Sequence, residues 1–199
     1  MNMEPVFVKT FAEPAFDEKE ILRYAGYPCP DEENTALMEN CLKEASGRFR
    51  YAVCWREVSL KLDRDTVDLT LLRTSSAALR KNLDGCKRAV LFAATVGLGI
   101  DRLTAKYSRL SPTKALMMQA IGAERIEGLC DAFCDELRKT YGAVRPRFSP
   151  GYGDLPLEVQ RELFAVLDCP RQIGLTVNES LLMSPSKSVT AIVGIKESL

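Results

Sequence analysis

The 199-residue sequence contains no histidine. That absence removes Ser-His and Cys-His nucleophilic catalysis, ordinary zinc enzymes and a histidine general base at neutral pH. Any chemistry must then rest on carboxylates, Arg, Lys or Tyr, or on a partner or cofactor. A CxxC pair is also missing among the seven cysteines, Cys29, Cys41, Cys54, Cys86, Cys130, Cys134 and Cys169. In a reducing compartment this pattern reads as buried thiols behaving as small hydrophobes. Cys130 and Cys134 lie one helical turn apart but lack the second pair that a metal site needs. There is no net charge: 27 basic and 27 acidic residues cancel, which gives no footprint for nucleic acid or an anionic membrane. No apolar run approaches the roughly 20 residues of a membrane span. The start, MNMEPVFVKTF, has no basic region followed by an apolar stretch, so no secretory signal is expected. These absences predict a cytoplasmic protein.

What is present suits one globular domain with a real core, at 46% hydrophobic and 27% charged residues. Helices are expected at 17–25 and 31–46, separated by a break at 26–30, and residues 1–48 read as a helical outer layer over a core at 49–199. From residue 51 the period changes to two, and 51–62 reads as a strand with one wet face. A second short strand is expected at 67–72 and a short helix at 75–82, capped by Ser75 or Ser76. The continuous apolar run 89–94 belongs in mid-sheet, covered on both faces. It leads through Gly97 and Gly99 into a helix at 100–107. That turn lacks the third glycine of a dinucleotide fingerprint and the P-loop lysine, so a tight turn is the default reading.

Ser111 and Pro112 announce the longest helix, which runs to about Tyr141 before Gly142. Its core stripe is expected to be Leu116, Ala120, Ala123, Ile126, Cys130, Phe133 and Leu137. Beside it runs an acidic row, Glu124, Glu127, Asp131 and Asp135. Such rows are commonly solvated faces; the functional alternative is that one acid binds a cationic group. Further on, Asp154 is expected to cap a helix at 155–167, 173–177 to form a strand, 178–187 a polar turn and 189–195 a final buried strand. Strands and helices interleave without clean βαβ repeats. The fold class is therefore α+β, with a mainly antiparallel sheet flanked by helices.

Residues 145–154, RPRFSPGYGD, carry two prolines, two glycines, two arginines and two aromatics. Glycine lets a backbone approach a ligand, and proline stiffens the loop beforehand. Arginine grips a carboxylate with parallel hydrogen bonds, and tyrosine adds a flat face. The stretch reads as a small-molecule-binding loop, or else as a rigid connector, as most Pro/Gly clusters are.

Within it, Arg147, Pro150, Gly151 and Tyr152 match the Arg-x-x-Pro-Gly-Tyr form of a signature in the activation (reactivation) domain of cobalamin-dependent methionine synthase. Residues 175–190, LTVNESLLMSPSKSVT, resemble a second segment of that family, with Glu-Ser, Met, Pro and Val in order. The long helix directly before the arginine loop fits the same pattern. The resemblance covers about 112–195 and implies a C-shaped α+β fold that binds S-adenosylmethionine in a shallow groove. It implies a role in which the domain docks on a cobalamin-binding module and presents the methyl group to cob(I)alamin, with an electron supplied by flavodoxin or a similar reductant. Cobalamin would come from the partner, and no catalytic or metal-ligating side chain is implied on this chain.

Carried over by position, Arg147 would hold the ligand carboxylate, and Pro150, Gly151 and Tyr152 would give loop shape, backbone contacts and an aromatic wall. Glu124 or Glu127 would receive the ammonium, and Glu179 would order the turn beside the groove or simply cap it. The chain is shorter than the activation domain of a full-length synthase and lacks that domain's C-terminal tyrosines. An alternative function is therefore a non-catalytic docking module for a corrinoid protein that has lost S-adenosylmethionine binding.

Overall fold

A computed structural model describes residues 5–29 and 31–196. The elements run, in order, β1 (Phe7–Thr10), α1 (Glu18–Tyr24), α2 (Glu32–Ala45), β2 (Ala52–Ser59), β3 (Lys61–Leu62), β4 (Val67–Asp68), β5 (Arg73–Thr74), α3 (Ala77–Asn82), β6 (Cys86–Thr95) and α4 (Gly99–Leu110). There follow α5 (Pro112–Tyr141), α6 (Val159–Leu167), α7 (Cys169–Ile173), β7 (Thr176–Val177), β8 (Met183–Ser184) and β9 (Ser188–Lys196). The main sheet has the order β1-β2-β6-β9, and every pairing in it is antiparallel.

Period-two alternation in the three long strands divides the interior into two cores. Val53, Val90, Phe92, Ala94, Ala191, Val193 and Ile195 face α1, α2, α4 and α5. Ala52, Cys54, Ala89, Leu91, Ala93 and Ile192 face the layer of α6, α7 and the small β3-β4-β5 sheet. With both faces covered, the 89–94 stretch of β6 must be apolar without interruption, as its sequence is. Trp55 and Phe92 both pack on Phe133 of α5, with ring centroids 5.3 and 4.9 Å apart.

Helix α5 begins where Ser111 accepts from the Lys114 amide and Pro112 supplies the first turn. At 30 residues it is about 45 Å long. It touches α1, α2 and α4 as well as β6 and β9, so its middle is buried nearly all round. That is why the single stripe expected from the sequence is too narrow. Ala115, Met118, Ile121 and Leu129 are also inside, whereas Leu116 points outward at 47% exposure.

Other departures have local causes. The N-terminal layer contributes a strand as well as helices, because β1 pairs with β2 from Phe7 to Thr10. Of the break at 26–30, Pro30 lies outside the described residues. The strand expected at 67–72 stops after β4, in a turn where Thr70 has φ +69°. Helix α6 starts only at Val159, since Pro156 disfavours a helical conformation at Leu155. Helix α7 takes Ile173, the first residue of the strand expected at 173–177, and that strand is cut to β7 beyond Gly174.

The turn before α4 is a packing device. A Cβ on Gly99 would sit 2.0 Å from the Arg48 carbonyl oxygen, so the chain after α2 crosses directly over it. Gly99→Ala is expected to lower stability by about 3 kcal/mol or more, because backbone rather than a mobile side chain must move. Urea denaturation at neutral pH measures it; an unchanged midpoint would contradict this packing.

Candidate ligand-binding groove

The loop at 145–154 is fixed along its length. Arg145 and Phe148 pair with the free edge of β9, through Arg145 N to Gly194 O at 2.8 Å and Phe148 N to Ile192 O at 2.9 Å. Asn82 donates to the Pro146 carbonyl at 3.2 Å, and the Arg145 guanidinium donates to the Asp84 carbonyl. Gly151, at φ +90°, donates to Leu155 O at 2.9 Å. Asp154 does not cap α6. It accepts from the Ser76 hydroxyl and from the amides of Ala77 (2.8 Å) and Ala78 (3.0 Å), at the start of α3. These donors hold its carboxyl below the ordinary range.

From this frame Arg147 reaches back to α5. One terminal nitrogen donates to Asp131 and the other to Glu127, side chains one helical turn apart on one face. Burial works against its charge, but the hydrogen bond it donates to Asp131 and the nearby Glu127 carboxylate outweigh it and hold the guanidinium above its ordinary value. Burial pushes the adjacent thiols of Cys130 and Cys134 up, so they stay neutral.

Glu127 and Asp131 line a cavity of about 330 Å³ between α5 and α1, together with Glu124, Gly128, Ala15, Asp17, Glu20 and Tyr24. Its electrostatics are acidic: burial, and then the Glu127 carboxylate, push the Tyr24 hydroxyl up. The far wall is held by Arg125, which is fully buried. Its guanidinium donates to Glu124 twice at 2.5 Å, to Pro14 O at 2.6 Å and to Ala15 O at 2.9 Å, and lies 3.7 Å from the Phe16 ring centroid. Glu124 in turn accepts from the Asp17 amide at 3.1 Å. Burial pushes the Glu124 carboxyl up, and Arg125 pulls it back.

The residues singled out from the sequence are placed as follows. Arg147 and Glu127 meet at the groove's edge, and Glu124 lines the groove with its carboxylate engaged by Arg125. Part of the acidic row is thus an interior and ion-paired feature rather than a solvated face. Pro150 is buried under the loop, while Gly151 and Tyr152 are exposed, Tyr152 at 59% with its ring edge-on to Phe148 at 6.1 Å. Glu179 is exposed and outside the groove lining; its carbonyl accepts from Arg161 at 2.5 Å, which docks the turn on α6. Sequence reasoning missed Arg125 and the wall of Asp17, Glu20 and Tyr24. Arg125 had a signal: it interrupts the apolar series Met118, Ile121 and Leu129 at spacings of three and four.

Residues 132–198, about a third of the chain, match the family described as vitamin B12 dependent methionine synthase, activation domain. A crystal structure of the MetH reactivation domain bound to AdoHcy superposes with a TM-score of 0.75 at 13% identity, over 99% of this chain and 80% of that one. This chain has the methionine synthase activation-domain fold. The resemblance carried by the arginine loop and the 175–190 segment is borne out, by sequence over the C-terminal third and by fold over the whole. Comparison with curated proteins found no match. The matched stretch of the activation domain contains Arg147, Pro150, Gly151, Tyr152 and Glu179, whereas Glu124 and Glu127 precede it. Among the described residues, no helix is long and apolar enough to cross a membrane.

Two measurements check this site. Removing one member of a buried ion pair strands the other, so Arg125→Leu should cost about 3–5 kcal/mol, and Glu124→Leu in addition should restore a large part of it. Equilibrium unfolding of the two variants tests that coupling; simple additivity would contradict it. Asp154→Asn should lower Tm at neutral pH. Because the carboxyl lies below its ordinary 3.8, its contribution is full above that pH and fades on acidification through the folded value. A Tm difference that persists unchanged at the acid end would contradict the three-donor anchor.

Proposed function

We propose that this chain binds S-adenosylmethionine between the 145–154 loop and the α1–α5 groove and presents its methyl group to cob(I)alamin on a partner. The carrying observation is an arginine on a rigid, glycine-containing loop that lies against acids of a groove, in a fold whose solved relative holds AdoHcy. AdoHcy is what S-adenosylmethionine becomes on losing its methyl group.

The chemistry of the groove suits such a ligand. Arg147 offers two parallel donors to a carboxylate. Glu127 lies beside it for the ammonium, and the acidic lining favours a sulfonium. Tyr152 gives an exposed aromatic face for adenine, with Pro150 and Gly151 setting the loop's path. Glu124 supports the site from beneath, through Arg125 and Asp17, and Glu179 contributes to the neighbouring turn. When bound, S-adenosylmethionine supplies an activated methyl carbon to an already strong nucleophile, so the displacement needs alignment and no general base. The lack of histidine is compatible with that division of labour. The partner would be the cobalamin-binding module of methionine synthase or another corrinoid protein, with a flavodoxin-like donor returning cob(II)alamin to the reactive state. Such partners place the reaction in the cytoplasm.

One observation favours the second reading, a docking module without ligand: Arg147 already has both terminal nitrogens on carboxylates. Calorimetry and a coupled assay separate the two. The chain, mixed with the cobalamin module as cob(II)alamin, a reductant and S-adenosylmethionine, should generate the methylcobalamin spectrum. Arg147→Ala should weaken ligand binding by about tenfold to a hundredfold, the worth of a charged double hydrogen bond. Absence of S-adenosylmethionine binding, with or without the partner, would decide for the docking module.

A further inference from the structure

The main sheet ends at β1, and the outer edge of that strand is open. Phe11 N donates to Tyr51 O at 2.8 Å, so along this antiparallel pair the main-chain groups of Lys9 and Phe7 also turn toward β2. Those of Val8 and Thr10 therefore point outward, where no strand lies among the described residues. An edge of this kind is ordinarily guarded by a charge, a proline or a bulge. Here the register from Phe7 to Thr10 is unbroken, and the one charge, Lys9, is drawn back onto Glu136 of α5 at 2.5 Å. Phe7 and Val8 are left 44% and 46% exposed.

The two faces beside this edge differ. On the α5 face, a cavity of about 190 Å³ is lined by Phe7, Trp55, Phe133, Leu137 and Tyr141. Glu136 at its side is already answered by Lys9, so the space suits one uncharged side chain; an apolar cavity of about 150 Å³ admits a benzene ring. On the other face Val8 stands opposite Cys54, and Arg56 follows Cys54 at the next position on that face. Arg56 is half-buried, its Nε is buried without a partner, and it forms no ion pair or hydrogen bond among the described residues. A buried donor left unpaired is costly, and a carboxylate would satisfy it.

We propose that β1 is a docking edge for an extended segment of a partner protein in which apolar and acidic side chains alternate. The segment adds a strand to the sheet, antiparallel like the others, and exchanges main-chain hydrogen bonds with Val8 and Thr10. Period two then sorts its side chains. Residues opposite Val8 and Thr10 lie on the Arg56 face and offer carboxylates toward it. Those between them lie on the α5 face and place one apolar side chain in the cavity. A second copy of this chain fits less well, because β1 paired with itself brings Lys9 and no acid to the edge. The surface shares no lining residue with the groove beside Arg147, so it does not rest on the ligand proposed there.

Trp55 is the one tryptophan of the sequence and lines the cavity, so its fluorescence reports occupancy. The probes are end-blocked peptides of alternating Leu and Glu, their Leu-Lys counterpart, and a Leu-Glu peptide N-methylated on its glutamates. The last keeps the side chains but loses the donors that face β1. The plain Leu-Glu peptide should shift Trp55 emission saturably, and the other two should not. Arg56→Gln should weaken that binding by about threefold to tenfold, the worth of one partly exposed ionic hydrogen bond. Val8→Pro should abolish it, since proline removes an outward N–H and leaves the pairing with β2 intact. Thermal melts check that both variants fold, and the N-methylated peptide tests the main-chain contact without any variant. Equal binding of the Leu-Lys or N-methylated peptide overturns the proposal, as does the absence of any saturable response. Self-association of the chain in ultracentrifugation that Val8→Pro abolishes would assign the edge to a second copy and overturn it too.

Discussion

The structure depends on a guanidinium with no solvent exposure, that of Arg125. Every direction around Arg125 is answered: the Glu124 carboxylate, two main-chain carbonyls and an aromatic face. The desolvation cost of such a pair is large, and well-packed apolar residues would often serve stability as well. What the pair adds is position. The carbonyls of Pro14 and Ala15 and the amide of Asp17 belong to the segment between β1 and α1. Arg125 and Glu124 therefore fix that segment across α5 and set the far wall of the groove.

The loop at the groove's edge is fixed by a different device. The 145–154 loop is pinned to β9 by main-chain bonds, to the end of α3 by Asn82, and to its start by Asp154. Such a loop loses little further conformational entropy on meeting a ligand. Helix α5 is long enough to serve both that N-terminal segment and the loop. Its Phe133 anchors the sheet, its Glu124 and Arg125 hold the N-terminal segment, and its Glu127 and Asp131 meet Arg147. Fold and site are thus properties of one helix. A likeness of 13% in sequence can coexist with a well-preserved fold because apolar burial tolerates exchange that keeps volume and pattern.

Legibility in the sequence followed the strength of the local signal. Ser111 with Pro112, and Gly142 beyond Tyr141, marked α5 at both ends. The uninterrupted run in β6 stated its place between two layers. The arginine loop could be recognised because its residues are few, adjacent and unusual together. Asp154 was misread since an Asp before an apolar period looks like a cap, and nothing local says that the amides it serves lie in α3. Leu116 was placed inward because a single stripe was assumed for a helix that three other helices surround. Tyr24 and Asp17 escaped for a related reason: their meeting with Glu127 is made by the long-range packing of α1 on α5. The pairing of Arg147 with two acids is likewise a tertiary fact, although each acid was visible in its row.

The central claim is that Arg147 and the α1–α5 groove form one site for an adenosyl amino acid. Crystals of the full chain grown with S-adenosylhomocysteine test it most directly. The account predicts ligand density with the carboxylate on the Arg147 guanidinium, the ammonium at Glu127 and the adenine against Tyr152. Density at another surface, or an Arg147 still bonded to both Glu127 and Asp131 with the ligand bound, would contradict it.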